Sequence, residues 1–129
     1  MRNSKPLSMM LKLNHGEVWL VNLNPGRGTE LGKTRPVLIV QSQALLDAGH
    51  PSTLVLPLTT NLIGDAEPLR LRLPAQERLE QDSDILVDQL RAVDNRRLIS
   101  GPLASCNDDF MQQIYTALRE VMDIPDIPT

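Results

Sequence analysis

Aromatic residues are nearly absent from this chain: Trp19, Phe110 and Tyr115 are the only three among 129 residues. The core must therefore be aliphatic, and a nucleic-acid site built on rows of stacking rings is excluded. Cysteine is scarcer still. With Cys106 alone, an intrachain disulfide is impossible and a thiolate metal cluster lacks the several cysteines it needs. Two imidazoles, His15 and His50, are too few for an ordinary structural zinc site, and both read as surface or turn histidines. No apolar run approaches the roughly 20 residues of a membrane helix, and Lys12 interrupts the short apolar patch near the N-terminus, which reads as a tail rather than a signal peptide. A soluble, cytoplasmic chain is expected, with no cofactor.

What is present is unevenly charged. The net charge is −3, but residues 1–45 hold six basic residues against two acidic ones, and residues 46–129 hold seven basic against 14 acidic. An acidic protein can still bind a phosphodiester where a few cations converge on one cleft. Arg27, Lys33 and Arg35 form one candidate cluster, and Arg91, Arg96 and Arg97 another.

The length suits one domain. Residues 1–14 read as an N-terminal tail, 15–124 as the domain and 125–129 as a C-terminal tail. β-rich runs are predicted at 17–23, 37–40, 52–58, 69–73, 83–90 and 97–103, with a short helical turn at 43–48. Asn24-Pro25-Gly26 is a strong turn signal. Pro57 predicts a strand end or bulge. Asn107 is a good cap for one long helix, in which Phe110, Met111, Ile114, Tyr115, Leu118, Val121 and Met122 recur at helical spacing and Pro125 marks the end. The pattern predicts a mainly β domain: a twisted, partly closed antiparallel sheet with one C-terminal helix.

No standard catalytic signature is present. The glycines Gly26, Gly28 and Gly32 do not precede a Lys-Ser/Thr pair, so no phosphate-cradling loop of that type exists. Asp82, Asp84 and Asp88 lack a third partner and read as a solvated strand face rather than a magnesium site. What remains is a loop–strand junction with Glu30 and Arg35 flanking Gly32, and the strand end Thr59-Thr60-Asn61. That combination suits phosphodiester chemistry without a metal. A guanidinium matches phosphate oxygens in fork geometry and a threonine hydroxyl adds a donor, while a carboxylate can serve as base.

The motifs sharpen this reading. Gly16-Glu17-Val18-Trp19-Leu20-Val21-Asn22-Leu23-Asn24-Pro25 resembles the opening strand and turn of the MazF/PemK family of toxin ribonucleases. Gly28-Thr29-Glu30-Leu31-Gly32-Lys33-Thr34-Arg35-Pro36 resembles its signature loop, Pro57-Leu58-Thr59-Thr60 its strand end, and Asp88-Gln89-Leu90-Arg91-Ala92-Val93-Asp94 its Asp-Gln-x-Arg segment. The resemblance covers about residues 15–122. It implies an SH3-like, bent antiparallel sheet or partial barrel with a C-terminal α-helix, a homodimer, a groove for single-stranded RNA, and an antitoxin that occludes the groove. It also implies that contact with DNA runs only through the antitoxin.

The implied reaction is sequence-specific, metal-independent cleavage of RNA to 2′,3′-cyclic phosphate and 5′-hydroxyl ends. By position, Arg35 is the implied catalytic arginine and Thr59 the phosphate-binding threonine. Glu30 stands where some members have a proposed base, with loop bracing an equal alternative. Thr60, Asn61, Gln89, Arg91, Lys33 and Arg27 are implied RNA contacts, although Arg91 fits equally well a salt bridge to an acid such as Asp94. Three positions depart from family patterns: Leu31 replaces a glutamine, and Thr29 and Leu86 stand where one branch has histidine and arginine. The rival of another class is a non-catalytic, CcdB-like toxin that binds a protein target. The C-terminus Ile124-Pro125-Asp126-Ile127-Pro128-Thr129 differs from that protein's Trp-Gly-Ile end.

Overall fold

The computed structural model describes residues 11–30 and 32–126. The first ten and last three positions of the proposed tails, and Leu31, lie outside the described residues. The strands are β1 (Glu17–Asn22), β2 (Thr34–Ile39), β3 (Ser52–Thr59), β4 (Arg70–Leu73), β5 (Ser83–Leu86), β6 (Arg91–Asp94) and β7 (Leu98–Ser105). Among the described residues the short helix α1 (Gln43–Asp47) joins β2 to β3, and the longer α2 (Asp108–Met122) follows β7. The sheet is antiparallel and open, in the order β4-β5-β3-β2-β1-β7, with β6 on β3 beside β5. The expected bent sheet and C-terminal helix are present; the sheet does not close into a barrel.

Apolar residues alternate between two layers because successive side chains of a strand face opposite ways. Val18, Leu38, Leu56 and Leu58 face the layer covered by Met111, Ile114 and Ala117 of α2. Trp19, Val21, Val37, Ile39 and Val55 face the other, closed by Leu46 of α1 and Val93 of β6. The central strands are thus buried on both faces. This is why they read as unbroken apolar runs and not as alternating ones.

Helix α2 starts where expected. The Asn107 side chain accepts from the Phe110 N–H at 2.8 Å, and Asp108 and Asp109 sit in the first turn, at the positive end of the helix dipole. The predicted apolar stripe needs two corrections. Met122 is exposed and Ala117 is buried, because the face turned to the sheet runs through Met111, Ile114 and Ala117. His15 ties helix to sheet: Nδ1 lies 2.8 Å from the Gln41 carbonyl and Nε2 2.5 Å from the Tyr115 hydroxyl. It is therefore a half-buried bridge rather than a surface histidine. Cys106 is also shielded; burial, with Glu77 nearby, pushes its thiol up to about 11, so it stays protonated at neutral pH.

Two further expectations are revised. Pro57 neither ends nor bulges its strand. The Leu54 carbonyl bonds the Val40 N–H, so Leu54 and Leu56 turn their backbone groups toward β2, and Val55, Pro57 and Thr59 turn theirs the other way. On that edge the β6 ladder ends at Val55 and the β5 ladder begins at Leu58, and the missing N–H falls between them. The predicted strand 83–90 ends early, at Leu86; the chain then turns through a 3₁₀ segment at Val87–Gln89, and a separate strand, β6 at Arg91–Asp94, pairs with the other half of β3.

Between β1 and β7 the register slips, with Val18 opposite Ala104 and Leu20 opposite Ser100. The extra residues arch over Trp19. A Cβ built on Gly101 would stand 2.4 Å from Trp19 Cδ2, against a ring that is 97% buried by neighbours on every side. Gly101→Ala is expected to cost about 1–3 kcal/mol, the usual penalty of overpacking. Trp19 is the sole tryptophan, so urea unfolding followed by its fluorescence reads the change directly, together with a shift in native emission. An unchanged midpoint and spectrum would show that the arch yields freely.

Candidate active site

The β2–β3 ladder pairs Val37 with Pro57, Leu38 with Leu56 and Ile39 with Val55. Extending this register by two residues sets Arg35 opposite Thr59. Thr59 is in turn the register partner of Asp84 on β5, and Asp84 that of Arg72 on β4. Register partners share a face, so Arg35, Thr59, Asp84 and Arg72 form one row across four strands. A cleft of about 350 Å³ opens at the Arg35–Thr59 end, lined by Lys33, Thr34, Arg35, Pro36, Leu58, Thr59, Thr60 and Ser83. Its lining carries two cations and no carboxylate, which favours an anionic ligand.

Arg35 is held from behind. Its Nε donates to the Gly32 carbonyl at 3.0 Å, which leaves the terminal nitrogens for the cleft. Gly32 itself is fixed by contact with Gly26. A Cβ on Gly32 would lie 2.6 Å from the Gly26 nitrogen, and one on Gly26 would lie 2.7 Å from the Gly32 nitrogen. Only two glycines allow the backbone strands at the neck of the β1–β2 loop to approach this closely. Asn24 Oδ1 accepts from the Lys33 N–H at 2.5 Å, and Arg97 Nη1 donates to the Asn24 carbonyl at 2.6 Å. The glycines thus shape the loop.

Glu30 lies elsewhere. It is exposed, is not among the residues lining the cleft, and its Oε2 stands 3.9 Å from Arg91 Nη1. Gln89 Nε2 donates to the Thr29 carbonyl at 3.0 Å. Gln89 and Arg91 therefore brace the outer turn of the loop, which also carries the exposed Arg27. The salt-bridge reading of Arg91 is met by a different acid, Glu30 in place of Asp94. Asp94 binds Arg96 instead, at 2.8 Å, and the Arg96 side chain chiefly holds it down to about 2. Thr60 lines the cleft, whereas Asn61 contributes its backbone, donating from N–H to Thr59 Oγ1 at 3.2 Å.

The acidic run also differs from a solvated face. Asp82 is exposed and accepts from the Ala75 N–H, but Asp84 is 99% buried. Its Oδ1 accepts from Arg72 Nε at 2.6 Å, and its Oδ2 from the Ile63 N–H at 2.8 Å and from Arg70 Nη1 at 3.2 Å. Arg70 and Arg72 do not stand out as site residues in the sequence, because basic residues alternating with leucine read as the wet side of a strand. The signal was present all the same: two arginines two apart, one strand away from an aspartate flanked by serine and isoleucine.

The row of strands, the cationic cleft and the C-terminal helix define a small bent-sheet protein with a positively charged cleft at a loop–strand junction. The comparisons with known proteins give the particular family. Residues 14–122 match the model of the PemK-like, MazF-like toxins of type II toxin–antitoxin systems, and the chain belongs to that family. It is 30% identical over 111 residues to Endoribonuclease EndoA of Bacillus subtilis (strain 168), covering 83% of this chain and 91% of EndoA. Among solved structures it superposes on MazF from Deinococcus radiodurans with TM-score 0.71 and 22% identity, over 87% of this chain and 97% of that one. Mycobacterium tuberculosis toxin MazF-mt6 gives 0.69 and 19%, over 84% and 98%. An endoribonuclease solved in complex with its cognate antitoxin, from a mycobacterial species, gives 0.69 and 20%, over 89% and 99%. No helix among the described residues is long and apolar enough to cross a membrane.

Burial raises the pKa of Asp84, but the hydrogen bonds from Ile63, Arg72 and Arg70 outweigh it and hold the carboxyl below its ordinary value. A carboxyl depressed in the folded state stabilises fully above its unfolded pKa of about 3.9 and loses that contribution as pH falls through the folded value. Urea unfolding between about pH 5 and about pH 2 is expected to show wild-type stability falling with acid, with a shallower fall in Asp84→Asn. Asp94 contributes in the same window in both proteins, so the difference isolates Asp84. Parallel curves would mean that Asp84 is not the titrating group.

Proposed function

We propose that this chain is an endoribonuclease toxin that cleaves single-stranded RNA in the cytoplasm, sequence-specifically and without a metal. The observation that carries the reading is the meeting of Arg35 and Thr59 in one cleft whose lining is cationic. In the proposed reaction the RNA's own 2′-oxygen attacks phosphorus, its proton passes to a base, and the bond to the 5′-oxygen breaks as that oxygen is protonated. The products are a 2′,3′-cyclic phosphate and a 5′-hydroxyl. The Arg35 guanidinium faces the phosphorane with its terminal nitrogens and neutralises the charge that develops there. The Thr59 hydroxyl donates to a non-bridging oxygen, and Lys33 adds positive charge at the cleft mouth.

The position of Glu30 beside Arg91 supports loop bracing over general-base duty within one chain. Gln89, Arg91 and Arg27 then shape or line the path of the RNA rather than take part in the chemistry. A homodimer and a cognate antitoxin peptide that fills the RNA groove complete the proposal. It is supported by family membership and by the relative solved with its antitoxin.

Cleavage of a long single-stranded transcript in EDTA tests all of this. Arg35→Ala is expected to lose about 10²-fold or more in rate, the scale of one transition-state donor, and Thr59→Ala to be similarly impaired. Glu30→Gln is expected to stay within about tenfold of wild type, whereas loss of a true general base costs about 10²- to 10⁴-fold. Cleavage that needs a divalent ion, or that survives Arg35→Ala undiminished, would falsify the mechanism. A folded chain that is toxic in all variants and leaves every transcript intact would favour a toxin acting by binding a protein.

A further inference from the structure

The buried carboxylate of Asp84 takes no part in the chemistry above, yet it occupies the position next to Thr59 in the row across the sheet. We infer that Asp84 and Arg70 are positioning residues for the Thr59 hydroxyl, acting through the turn Thr60–Ile63. The inference rests on the assignment of the Arg35–Thr59 cleft as the RNA-cleaving site.

A threonine hydroxyl rotates freely about its C–O bond and can donate one hydrogen bond while accepting two. It helps a phosphoryl transition state only if its hydrogen points at the phosphate, and an unrestrained rotor spends much of its time elsewhere. Here the Asn61 N–H donates to Thr59 Oγ1. That bond occupies an acceptor lone pair on the turn side and repels the hydroxyl hydrogen from it, toward the open cleft. The bond exists only while the backbone of the turn keeps its course, and that course is fixed at two points. Arg70 Nη1 donates to the Asn61 carbonyl at 2.9 Å, and Asp84 Oδ2 accepts from the Ile63 N–H at 2.8 Å.

One charge pair makes both bonds possible. Arg70 Nη1 reaches Asp84 Oδ2 and the Asn61 carbonyl at once, while Arg72 holds the second carboxylate oxygen. The turn itself has little else to secure it, because Leu62 and Ile63 point into solvent, 40% and 49% exposed. Hydrophobic packing therefore secures this segment only in part. The clamp is electrostatic, and its anchor is the buried aspartate.

A merely structural ion pair would alter stability and leave the catalytic step alone, so the test is a double-mutant cycle with Thr59→Val in cleavage kinetics. Asp84→Asn is expected to lower kcat roughly 10- to 100-fold, the scale of a misplaced catalytic group, with KM nearly unchanged. Arg70→Ala is expected to do the same, and Arg70→Lys, which keeps a donor for the Asn61 carbonyl, to restore most of the rate. Should Asp84→Asn fail to fold, Arg70→Ala carries the test, since that side chain is partly exposed. In the Thr59→Val background neither substitution is expected to reduce kcat further. Effects that multiply in full on Thr59→Val, or an Asp84→Asn enzyme with wild-type kcat, would overturn the inference while leaving the cleft's assignment intact. Hydrogen exchange at the Asn61 and Ile63 amides decides the structural half without any activity. Loss of protection in Asp84→Asn and Arg70→Ala supports the clamp, and unchanged protection overturns it. If the wild-type chain leaves RNA intact, the cleft's assignment falls and the orienting role falls with it, whatever the amides show.

Discussion

The fold hangs on strand β3, which must satisfy three neighbours with two edges. One edge runs against β2; the other is shared in succession by β6 at Ser52–Val55 and by β5 at Leu58–Thr59. A change of neighbour along one edge leaves a gap in which a backbone donor would go unpaired, and an unpaired buried N–H costs free energy comparable to a lost hydrogen bond. Pro57 has no N–H to lose. Its position at the gap lets the second half of β3 splay away from β6 toward β5, carrying Thr59 beyond the body of the sheet to the cleft. The same divergence makes the chain between β5 and β6 turn a corner at Val87–Gln89, which brings Gln89 and Arg91 under the β1–β2 loop.

The Asp84 cluster is poorly explained as a stabilising device. Burying a carboxylate costs several kcal/mol, and ion pairs taken from water often do no better than apolar residues of the same size. The neighbouring positions in β5, Ile85 and Leu86, are filled that way. What the charge cluster provides and a leucine cannot is direction: three donors converge on two oxygens from β4 and from the turn after β3. The polar row across the sheet therefore has a divided character. Its buried end is fixed by charge-assisted hydrogen bonds, and its open end, Arg35 with Thr59, lines the cleft.

Much of this was legible in the residues, and the reasons for the remainder are physical. The element order could be read because turn chemistry and capping are local: Asn107 needs only the next three residues to cap α2, and Ser42 likewise caps α1 by accepting from the Leu45 N–H. The combination of Arg35 with Thr59 could be offered from residue chemistry and was sharpened by the family motifs, but their meeting is not local: 24 positions separate them and only the β2–β3 register joins them. Pro57 was misread because its effect depends on which strands border β3, which no local rule contains. Asp84 was misread for a related reason. Alternation in Leu69–Leu73 marks Arg70 and Arg72 as facing one side, but whether that side is water or a buried aspartate is decided by the strand that pairs with it. Arg91 was offered the right type of partner in the wrong place: Asp94 is near in sequence and bound by Arg96, while Glu30 is remote in sequence and close in space.

The β1–β2 loop has a rigid neck and a braced tip, and the two are held by separate means. At the neck, Gly26 and Gly32 touch backbone to backbone, Asn24 takes the Lys33 N–H, and Gly32 holds the Arg35 Nε. At the tip, Gln89 holds the Thr29 carbonyl and Arg91 stands near Glu30. A surface ion pair of that length contributes at most about 1 kcal/mol, so the Arg91–Glu30 pair by itself adds little to the order of the tip. A displacement of the tip reaches Arg35 only through the neck, where the glycine contact leaves no room for the two strands to slide closer. The architecture thus anchors the guanidinium opposite Thr59 through the neck and not through the tip. A loop held at its tip alone would pass every movement of the tip on to Arg35; a loop held at the neck resists that.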